Sequence, residues 1–390
     1  MKNNTIYFDH ASTTPLTKNV LETINKYNKI FWGNVSSTYK FGVDCSLELE
    51  LLRNKIASIF SADDEDIIFT SGSTESISIV FDNIADQYKN GKIIISEVEH
   101  QATVIASNKI KKRGWNIQQF TVNKDGIINT TEIDKYINKE INLVSIIWGQ
   151  SEIGSLQPIQ LIGKRCKKHN VIFHVDGTQI ISNGIFNWNE LSCDLLSLSS
   201  HKFGGPKGVG ILMTNKKARR LLKNSDISKT QEYSIRPGTQ PLPLIGGLYK
   251  ALVNVNGKIS FKKNVATFSN NNIIVLRDYF IKKIINNKYF EITGSKNNRL
   301  PNHISFILFD KKYIPIKAHK VVNFMSENNF AISSGSACSS YSNEGSKVLS
   351  KMKFDKNKIF SNIRVSLSED NNFDEIDKFY ELLLECIHKF

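Results

Sequence analysis

The chain has 390 residues, of which 40% are hydrophobic and 23% are charged. This length and balance predict a soluble globular protein of two or three domains and exclude a disordered or low-complexity chain. The 51 Lys and Arg residues against 37 Asp and Glu residues give a net charge of +14. We interpret this excess as composition bias, because the chain contains no basic stripe with interleaved aromatic residues, and we expect no direct nucleic-acid partner.

Strand-like and helix-like segments alternate between about residues 66 and 215. Apolar runs and helical spacing predict strands at 66–70, 92–96, 141–148, 171–175, 194–198 and 208–214, and helices at 74–88, 101–113 and 158–169. The alternation is typical of an α/β fold, in which helices cover both faces of a mainly parallel sheet.

The pattern changes after about residue 250. Helices are predicted at 268–286, 316–328 and 373–389, and strands at 303–308 and 363–367. We therefore predict a large domain over residues 16–250 and a smaller α+β domain formed by residues 1–15 and 251–390.

Cysteine usage and hydropathy indicate the compartment. The five cysteines are odd in number, lie far apart and form no CxxC pair, which disfavours a disulfide framework and a zinc site. The N-terminus lacks the apolar core of a signal peptide, and no run approaches the roughly 18 apolar residues of a membrane span. We expect a cytoplasmic protein with no metal and no membrane contact.

Lys202 directly follows the predicted buried strand at 194–198. Burying an ammonium group is costly, whereas a lysine with its charge suppressed is a nucleophile that can form a Schiff base with an aldehyde cofactor. Ser199 and His201 beside it could hold a phosphate. Taken alone, a surface lysine after a strand is the commoner explanation.

Three further polar segments follow predicted strands, at residues 70–76, 97–100 and 174–179. Ligands of open parallel sheets bind beyond the carboxyl ends of the strands, so these segments together favour one site. The first could bind an anion at a helix N-terminus or simply cap the helix. Asp176 in the third could pair with a protonated ring nitrogen or cap a helix. A nucleotide fold is disfavoured, because the chain has no P-loop motif and no GxGxxG after a strand.

Cys338 is surrounded by small residues in the stretch AISSGSACSS at 331–340. A buried structural cysteine normally has apolar neighbours. The stretch predicts a flexible, exposed loop that presents a thiol, and it favours a redox or nucleophilic role over packing.

Together these segments resemble the cysteine desulfurases, which are fold-type-I pyridoxal phosphate enzymes of the class V aminotransferase superfamily. The resemblance extends from Tyr7 to the C-terminal helix. Its motifs occur in the order of the family, at residues 70–76, 99–100, 152–154, 174–179, 199–202, 236–239, 333–338 and 363–367. The segment around Cys338 resembles the branch with a long cysteine loop, which typically serves iron–sulfur assembly and tRNA thiolation.

The resemblance implies a role for each matching residue. Lys202 would carry the cofactor and move the α-proton of the substrate, with assistance from His100. Cys338 would attack the substrate sulfur, and Arg364 would bind the substrate carboxylate. The implied cofactor contacts are Asp176 to the pyridine nitrogen, Gln179 and Ser151 near the phenolic oxygen, and Ser73, Thr74, Ser199, His201 and the partner subunit's Thr239 at the phosphate.

The implied reaction converts L-cysteine to L-alanine and leaves a persulfide on Cys338. Acceptor proteins, either an iron–sulfur scaffold or thiolation proteins, would then take the sulfur from the homodimeric enzyme. One departure from the family is Gln150–Ser151, where the family usually has Asn-Asn before Glu-Ile-Gly. The shorter Ser151 could lose a bond to the cofactor, worth roughly 1.5–3 kcal/mol.

Two alternatives stay open at this point. The chain could be another pyridoxal phosphate lyase or aminotransferase of the superfamily, such as a selenocysteine lyase. The change at Gln150–Ser151 also admits a weakly active member that serves as a scaffold or sulfur relay.

Overall fold

The structure is a computed structural model, and it describes residues 5–223, 231–335 and 345–390. Its strands are β1 (Ile6–Tyr7), β2 (Ile67–Thr70), β3 (Lys92–Ser96), β4 (Asn116–Phe120), β5 (Leu143–Ile147), β6 (Ile172–Asp176), β7 (Ile185–Phe186), β8 (Leu195–Ser199), β9 (Gly210–Thr214), β10 (Lys258–Lys262), β11 (Val265–Phe268), β12 (Phe290–Ile292), β13 (His303–Leu308), β14 (Phe330–Ala331), β15 (Ser333–Ser334) and β16 (Asn362–Ser366). Its helices are α1 (Lys18–Ile30), α2 (Lys40–Phe60), α3 (Ser73–Gln87), α4 (Gln101–Lys111), α5 (Thr130–Tyr136), α6 (Ile159–His169), α7 (Lys216–Leu222), α8 (Leu242–Val253), α9 (Asn271–Ile285), α10 (Ala318–Glu327), α11 (Lys347–Lys351) and α12 (Phe373–Lys389).

Seven strands form the large sheet in the order β2-β9-β8-β6-β5-β3-β4. The pairs from β8 to β4 are parallel, and β9 runs antiparallel to both β2 and β8. The central strands β5, β6 and β8 are buried along their whole length, which explains their continuous apolar sequences. The predicted α/β class with a mainly parallel sheet is confirmed.

Helices cover both faces of this sheet. One apolar layer includes residues of α2, α6 and α8, and the other includes residues of α3, α4 and α7. Among the described residues, no helix is long and apolar enough to cross a membrane.

The C-terminal part contains a second sheet, antiparallel, with the order β12-β13-β16-β15. Helices α9, α10 and α12 pack on it in a core of their own. The N-terminal strand β1 pairs with β14, and Asp9 forms a bridge with Ser366, so residues 5–12 lie against this part of the chain.

The hairpin β10–β11 pairs with β7 and packs on the large core, where Phe261 stacks on Trp148 at 5.8 Å between ring centroids. The domain boundaries at residues 15 and 250 stay a prediction.

The carboxyl ends of the parallel strands meet at one edge of the large sheet. Residue Ile147 of β5 lies beside Asp176 of β6, and Asp176 lies beside Ser197 of β8. This register brings the loops after four strands, β3, β5, β6 and β8, to one place.

Candidate active site

A cavity of about 860 Å³ opens at this edge of the large sheet. It brings together ten of the residues that the sequence singled out, namely Ser73, Thr74, His100, Ser151, Asp176, Gln179, Ser199, His201, Lys202 and Arg364. Thr239 is exposed and does not line the cavity of its own chain. Cys338 lies outside the described residues.

Lys202 is placed by the short turn that follows β8. Its Nζ donates hydrogen bonds to the carbonyl oxygens of Ala11 at 2.7 Å and Ser12 at 2.8 Å. Gln179 Nε2 donates to the same Ala11 oxygen at 2.9 Å. The segment after β1 therefore fixes both the amine and the amide in the cavity wall.

Asp176 ends β6 and is 2% exposed. The backbone N–H of Thr178 donates to its Oδ1 at 3.0 Å, and the Thr178 hydroxyl contacts the same oxygen. Thr178 also donates to Ser73 Oγ at 2.7 Å, which links the carboxylate to the start of α3. A buried carboxylate held in this way can pair with a cationic ring nitrogen.

The N-terminus of α3 forms one end of the cavity. Gly72, with φ of +148°, precedes the helix, and Ser73 and Thr74 lie in its first turn. A Cβ on Gly72 would lie 3.3 Å from Ser199 Oγ, so the glycine keeps a close approach open between the helix and the end of β8. Free backbone N–H groups and hydroxyls at a helix N-terminus favour a bound anion.

His201 borders the same end of the cavity. Its Nδ1 lies 3.1 Å from Thr13 Oγ1. Burial, together with the positive charges of Lys202 and Lys207, lowers the pKa of His201 to about 4. The ring is therefore neutral near pH 7, and the two lysines supply the positive potential that an anion would meet.

His100 and Glu99 follow β3. His100 caps α4, where its Nδ1 accepts a hydrogen bond from the Ala102 N–H at 3.2 Å, and this leaves Nε2 as the protonated nitrogen of a neutral ring. Glu99 accepts from the Ile147 N–H at 3.0 Å and from the Ser96 hydroxyl. Burial raises the pKa of Glu99 to about 8, against those hydrogen bonds.

Arg364 on β16 supplies the cationic side of the cavity and is 4% exposed. Its Nη2 donates to Asp9 Oδ1 at 2.7 Å and to the Ser12 hydroxyl, and its Nη1 donates to the Ser151 carbonyl at 3.1 Å. Its Nε is buried and has no hydrogen-bond partner within the described ranges. The guanidinium that these bonds fix in the cavity wall can pair with a carboxylate that enters the cavity.

The loop after β5 carries the departure at Gln150–Ser151. The Gln150 amide donates to the Val98 carbonyl at 3.1 Å and accepts from the N–H groups of Glu152 and Ile153. The side chain of Gln150 therefore fixes the loop itself.

Four residues of the site were missed as functional residues by sequence reasoning, namely Asp9, Ser12, Glu152 and His303. Asp9, Ser12 and Glu152 stood only within segments of the family resemblance, and nothing in the sequence marked His303, because its partner lies far away along the chain. His303 Nε2 lies 3.1 Å from the carbonyl oxygen of Ser151.

The donor set fits an aldehyde cofactor that carries a phosphate. An amine, a buried carboxylate and an anion site line one cavity, and the cavity leaves room for a small amino acid beside Arg364. Within the described residues, no group of three or more His, Cys, Asp and Glu could hold a metal ion.

The chain is similar to known proteins over nearly its whole length. The sequence pattern of the family described as "Aminotransferase class-V" matches residues 6–379. Cysteine desulfurase IscS of Dictyoglomus turgidum is 33% identical over 391 residues, which cover 98% of this chain and 95% of that protein. A solved NifS-like protein is similar in fold with a TM-score of 0.86 and 26% identity over 99% of this chain and 100% of that chain. The structure titled "SspA in complex with cysteine" has a TM-score of 0.79 and 27% identity over 93% and 99% of the two chains.

Proposed function

This chain belongs to the class-V aminotransferase family and is a cysteine desulfurase, and we propose that it converts L-cysteine to L-alanine with pyridoxal phosphate on Lys202 and collects the sulfur on Cys338. The observation that carries the proposal is the common cavity of Lys202, Asp176, the α3 N-terminus and Arg364. One relative was solved in complex with cysteine, which supports the substrate.

The residues that would hold the cofactor follow from their chemistry. Lys202 would hold its aldehyde, and Asp176 its ring nitrogen. Gln179 would hold its phenolic oxygen, with Ser151 nearby. The phosphate would be held by Ser73, Thr74, Ser199, His201 and Thr239 of the partner subunit. Bound pyridoxal phosphate supplies an electron sink that weakens the bonds at the α-carbon of the substrate.

The remaining tasks fall to the side chains of the chain itself. Arg364 binds the substrate carboxylate, because Asp9 and Ser151 fix its guanidinium in the wall of the cavity. The Lys202 amine moves the α-proton, and His100 assists. The Cys338 thiolate attacks the sulfur, so that L-cysteine and the thiol give L-alanine and a persulfide, with all atoms conserved.

The test measures alanine and sulfide released from L-cysteine, with pyridoxal phosphate and a reductant present, for wild type, Cys338→Ala and Lys202→Ala. We expect product from wild type alone, and no bound-cofactor absorbance band for Lys202→Ala. Wild type that binds the cofactor but releases no alanine would contradict the proposal.

We also propose a homodimer in which Thr239 completes the partner's site. The support is that Thr239 is exposed and does not line the cavity of its own chain. Hybrid dimers of Lys202→Ala and Thr239→Ala subunits test this, because one site of each hybrid then has both residues. Cofactor binding near half of the wild-type level is expected in hybrids, whereas binding no better than that of either variant dimer would refute the arrangement.

The acceptors of the sulfur are proposed to be iron–sulfur scaffold or thiolation proteins in the cytoplasm. The cysteines that the structure describes, Cys45, Cys166, Cys193 and Cys386, are unpaired, as a reducing compartment requires. The net charge of +14 would speed the encounter with acidic acceptors. Transfer of labelled persulfide sulfur from Cys338 to purified candidate acceptors, at low and high salt, tests this assignment.

A further inference from the structure

Glu75 joins the end of the cavity at α3 to the segment that carries Thr239. It lies in the first turn of α3, directly after Thr74, and it lines the cavity. Its Oε2 accepts a hydrogen bond from the Ser71 N–H, and its Oε1 accepts one from Arg236 Nε at 3.1 Å. One carboxylate therefore ties the loop before α3 to a segment that lies 161 positions further along the chain.

The ion pair of Glu75 and Arg236 is partly buried. The Arg236 side chain is 17% exposed and the Glu75 side chain 31%, whereas the side chains of the surface pair Lys18 and Glu22 are 93% and 64% exposed. Solvent and salt screen a partly buried pair less than an exposed one, so this pair holds its two segments together more firmly than a surface pair would. Pairing also offsets the negative charge of Glu75, which would otherwise oppose an anion at the start of α3.

Arg236 in turn lies close to the backbone beside Thr239. Gly238 has a φ of +104°, and a Cβ on it would lie 3.5 Å from Arg236 Nη1, so the guanidinium approaches this turn closely. The Gly238 N–H also donates to Gln231 Oε1 at 3.0 Å, and Gln240 on the other side of Thr239 is buried. Thr239 itself is exposed. The segment is therefore fixed on both sides of Thr239, while that residue stays accessible to another chain.

We propose that Glu75 and Arg236 are positioning residues that hold Thr239 in place for the phosphate site of the partner subunit. The inference rests on the proposed dimer, because it takes Thr239 as the residue that completes the other subunit's cavity. Without the ion pair, segment 236–239 loses its tie to α3, and Thr239 must be ordered when the cofactor binds. A substitution of Glu75 or Arg236 in one subunit therefore weakens cofactor binding in the cavity of the other subunit.

Hybrid dimers with a single cofactor-binding lysine test the inference. One subunit carries Lys202→Ala, and the other subunit keeps Lys202 and receives Thr239 from the Lys202→Ala subunit. Thr239→Ala, Glu75→Gln or Arg236→Met is added to the Lys202→Ala subunit only, so the local effects of these changes fall on a cavity that has lost its lysine. The dissociation constant of pyridoxal phosphate is measured for each apo hybrid from the absorbance band of the lysine-bound cofactor.

Thr239→Ala is expected to weaken binding by about tenfold or more, which is the effect of losing a hydrogen bond to a charged group. Glu75→Gln and Arg236→Met are each expected to weaken binding by about threefold to tenfold, the cost of ordering one side chain on binding. Adding either change to Thr239→Ala is expected to cause no further loss, because both residues act through Thr239. Two independent variants keep the test valid if one of them does not fold.

Asp82→Asn in the Lys202→Ala subunit is the matched control, because Asp82 also lies on α3 but pairs with Lys109 of α4. We expect it to leave the dissociation constant unchanged. Control values for both Glu75→Gln and Arg236→Met, or an equal loss with and without Thr239, overturn the inference, while a weakening by Thr239→Ala leaves the proposed dimer intact. A Thr239→Ala hybrid that binds the cofactor as the control does contradicts the proposed dimer, and the inference falls with it.

Discussion

Glu232 forms a buried ion pair at the edge of the large sheet. Its two carboxylate oxygens accept hydrogen bonds from Arg53 Nη1 and Nη2, each at 2.9 Å, and Oε2 also accepts from the Phe69 N–H at 2.7 Å. The two charged side chains are 0% and 3% exposed. We predict that Glu232→Gln lowers the free energy of unfolding by about 3–5 kcal/mol, because the Arg53 guanidinium then keeps its charge in the interior with only the half-exposed carboxylate of Glu50, 3.0 Å from its Nε, to compensate it.

The ion pair also fixes the segment that carries Thr239. Residues 232–234 have φ values of +40°, +55° and +64°, a conformation that packing must hold in place. Glu232 Oε1 accepts from Gln240 Nε2 at 3.3 Å, directly after Thr239. Glu232→Gln is therefore expected to weaken cofactor retention in the dimer as well.

Urea unfolding followed by tryptophan fluorescence measures the change in stability. Asp82→Asn is the matched control, because Asp82 pairs with Lys109 at 2.7 Å on the surface, and its removal is expected to cost less than about 1 kcal/mol. The double variant Arg53→Met/Glu232→Met is expected to recover part of the loss, since an apolar pair needs no compensating charge, although the buried Phe69 N–H loses its acceptor. A loss below about 1 kcal/mol for Glu232→Gln, or a double variant no better than the single one, would refute the reasoning.

Three further predictions concern single positions. Burial lowers the pKa of His174 from 6.5 to about 4, so the unfolded chain binds more protons than the folded chain between these pH values. The contribution of His174 to stability is therefore fully present above pH 6.5 and falls by about 3 kcal/mol as the pH is lowered towards 4. His174→Asn should flatten this slope in urea midpoints measured against pH. Gly335→Ala should slow persulfide formation while the cofactor band persists, because its Cβ would lie 2.2 Å from Asn362 Nδ2. Gly154→Ala should cost more than about 1 kcal/mol, because φ is +77° and its Cβ would lie 2.6 Å from His303 Nδ1. An unchanged pH slope for His174→Asn would contradict the first prediction. A wild-type rate of persulfide formation for Gly335→Ala would contradict the second, and an unchanged urea midpoint for Gly154→Ala would contradict the third.

Hydrophobic periodicity located most elements of the sheets to within a few residues. The strands predicted at 92–96 and 303–308 and the helix at 373–389 have the observed bounds. The helix predicted over 268–286 is shorter, because its first residue belongs to β11. Strand direction is a different matter: β9 runs antiparallel, and the apolar sequence of a buried strand is the same for either direction.

Helices α1 and α2 were not assigned from the sequence, and the burial pattern of α2 explains why. Leu49, Leu52 and Ile56 face the core, but Leu47 and Leu51 are 66% and 46% exposed. Apolar side chains on both faces remove the contrast on which a helical period depends. Such a pattern is informative only once the neighbours of the helix are known.

The residues of the candidate site also fall into two groups, those that a local sequence pattern predicts and those that only distant contacts place. Asp176 and Ser199 could be predicted because each stands at the end of a buried apolar run, and parallel strands bring their carboxyl ends together. The bonds of Lys202 to Ala11 and Ser12 span about 190 positions, and that of Arg364 to Asp9 spans 355. Contacts of this kind depend on how the N-terminal segment crosses between the two sheets, which no local pattern encodes.

The interpretation of the departure at Gln150–Ser151 changes once the contacts of the two residues are known. From the sequence, the shorter Ser151 implied a lost bond to the cofactor, whose phenolic oxygen Gln179 would also lie near. In the structure, Gln179 Nε2 donates one of its two hydrogens to the Ala11 carbonyl, so a bond from the other hydrogen to the cofactor would not require this one to break. The loop meanwhile is held by the Gln150 amide and by the Ser151 carbonyl, which Arg364 and His303 both contact. The chain therefore ties this loop to the residue that would bind the substrate, and a change at either position should affect carboxylate binding as well as the cofactor.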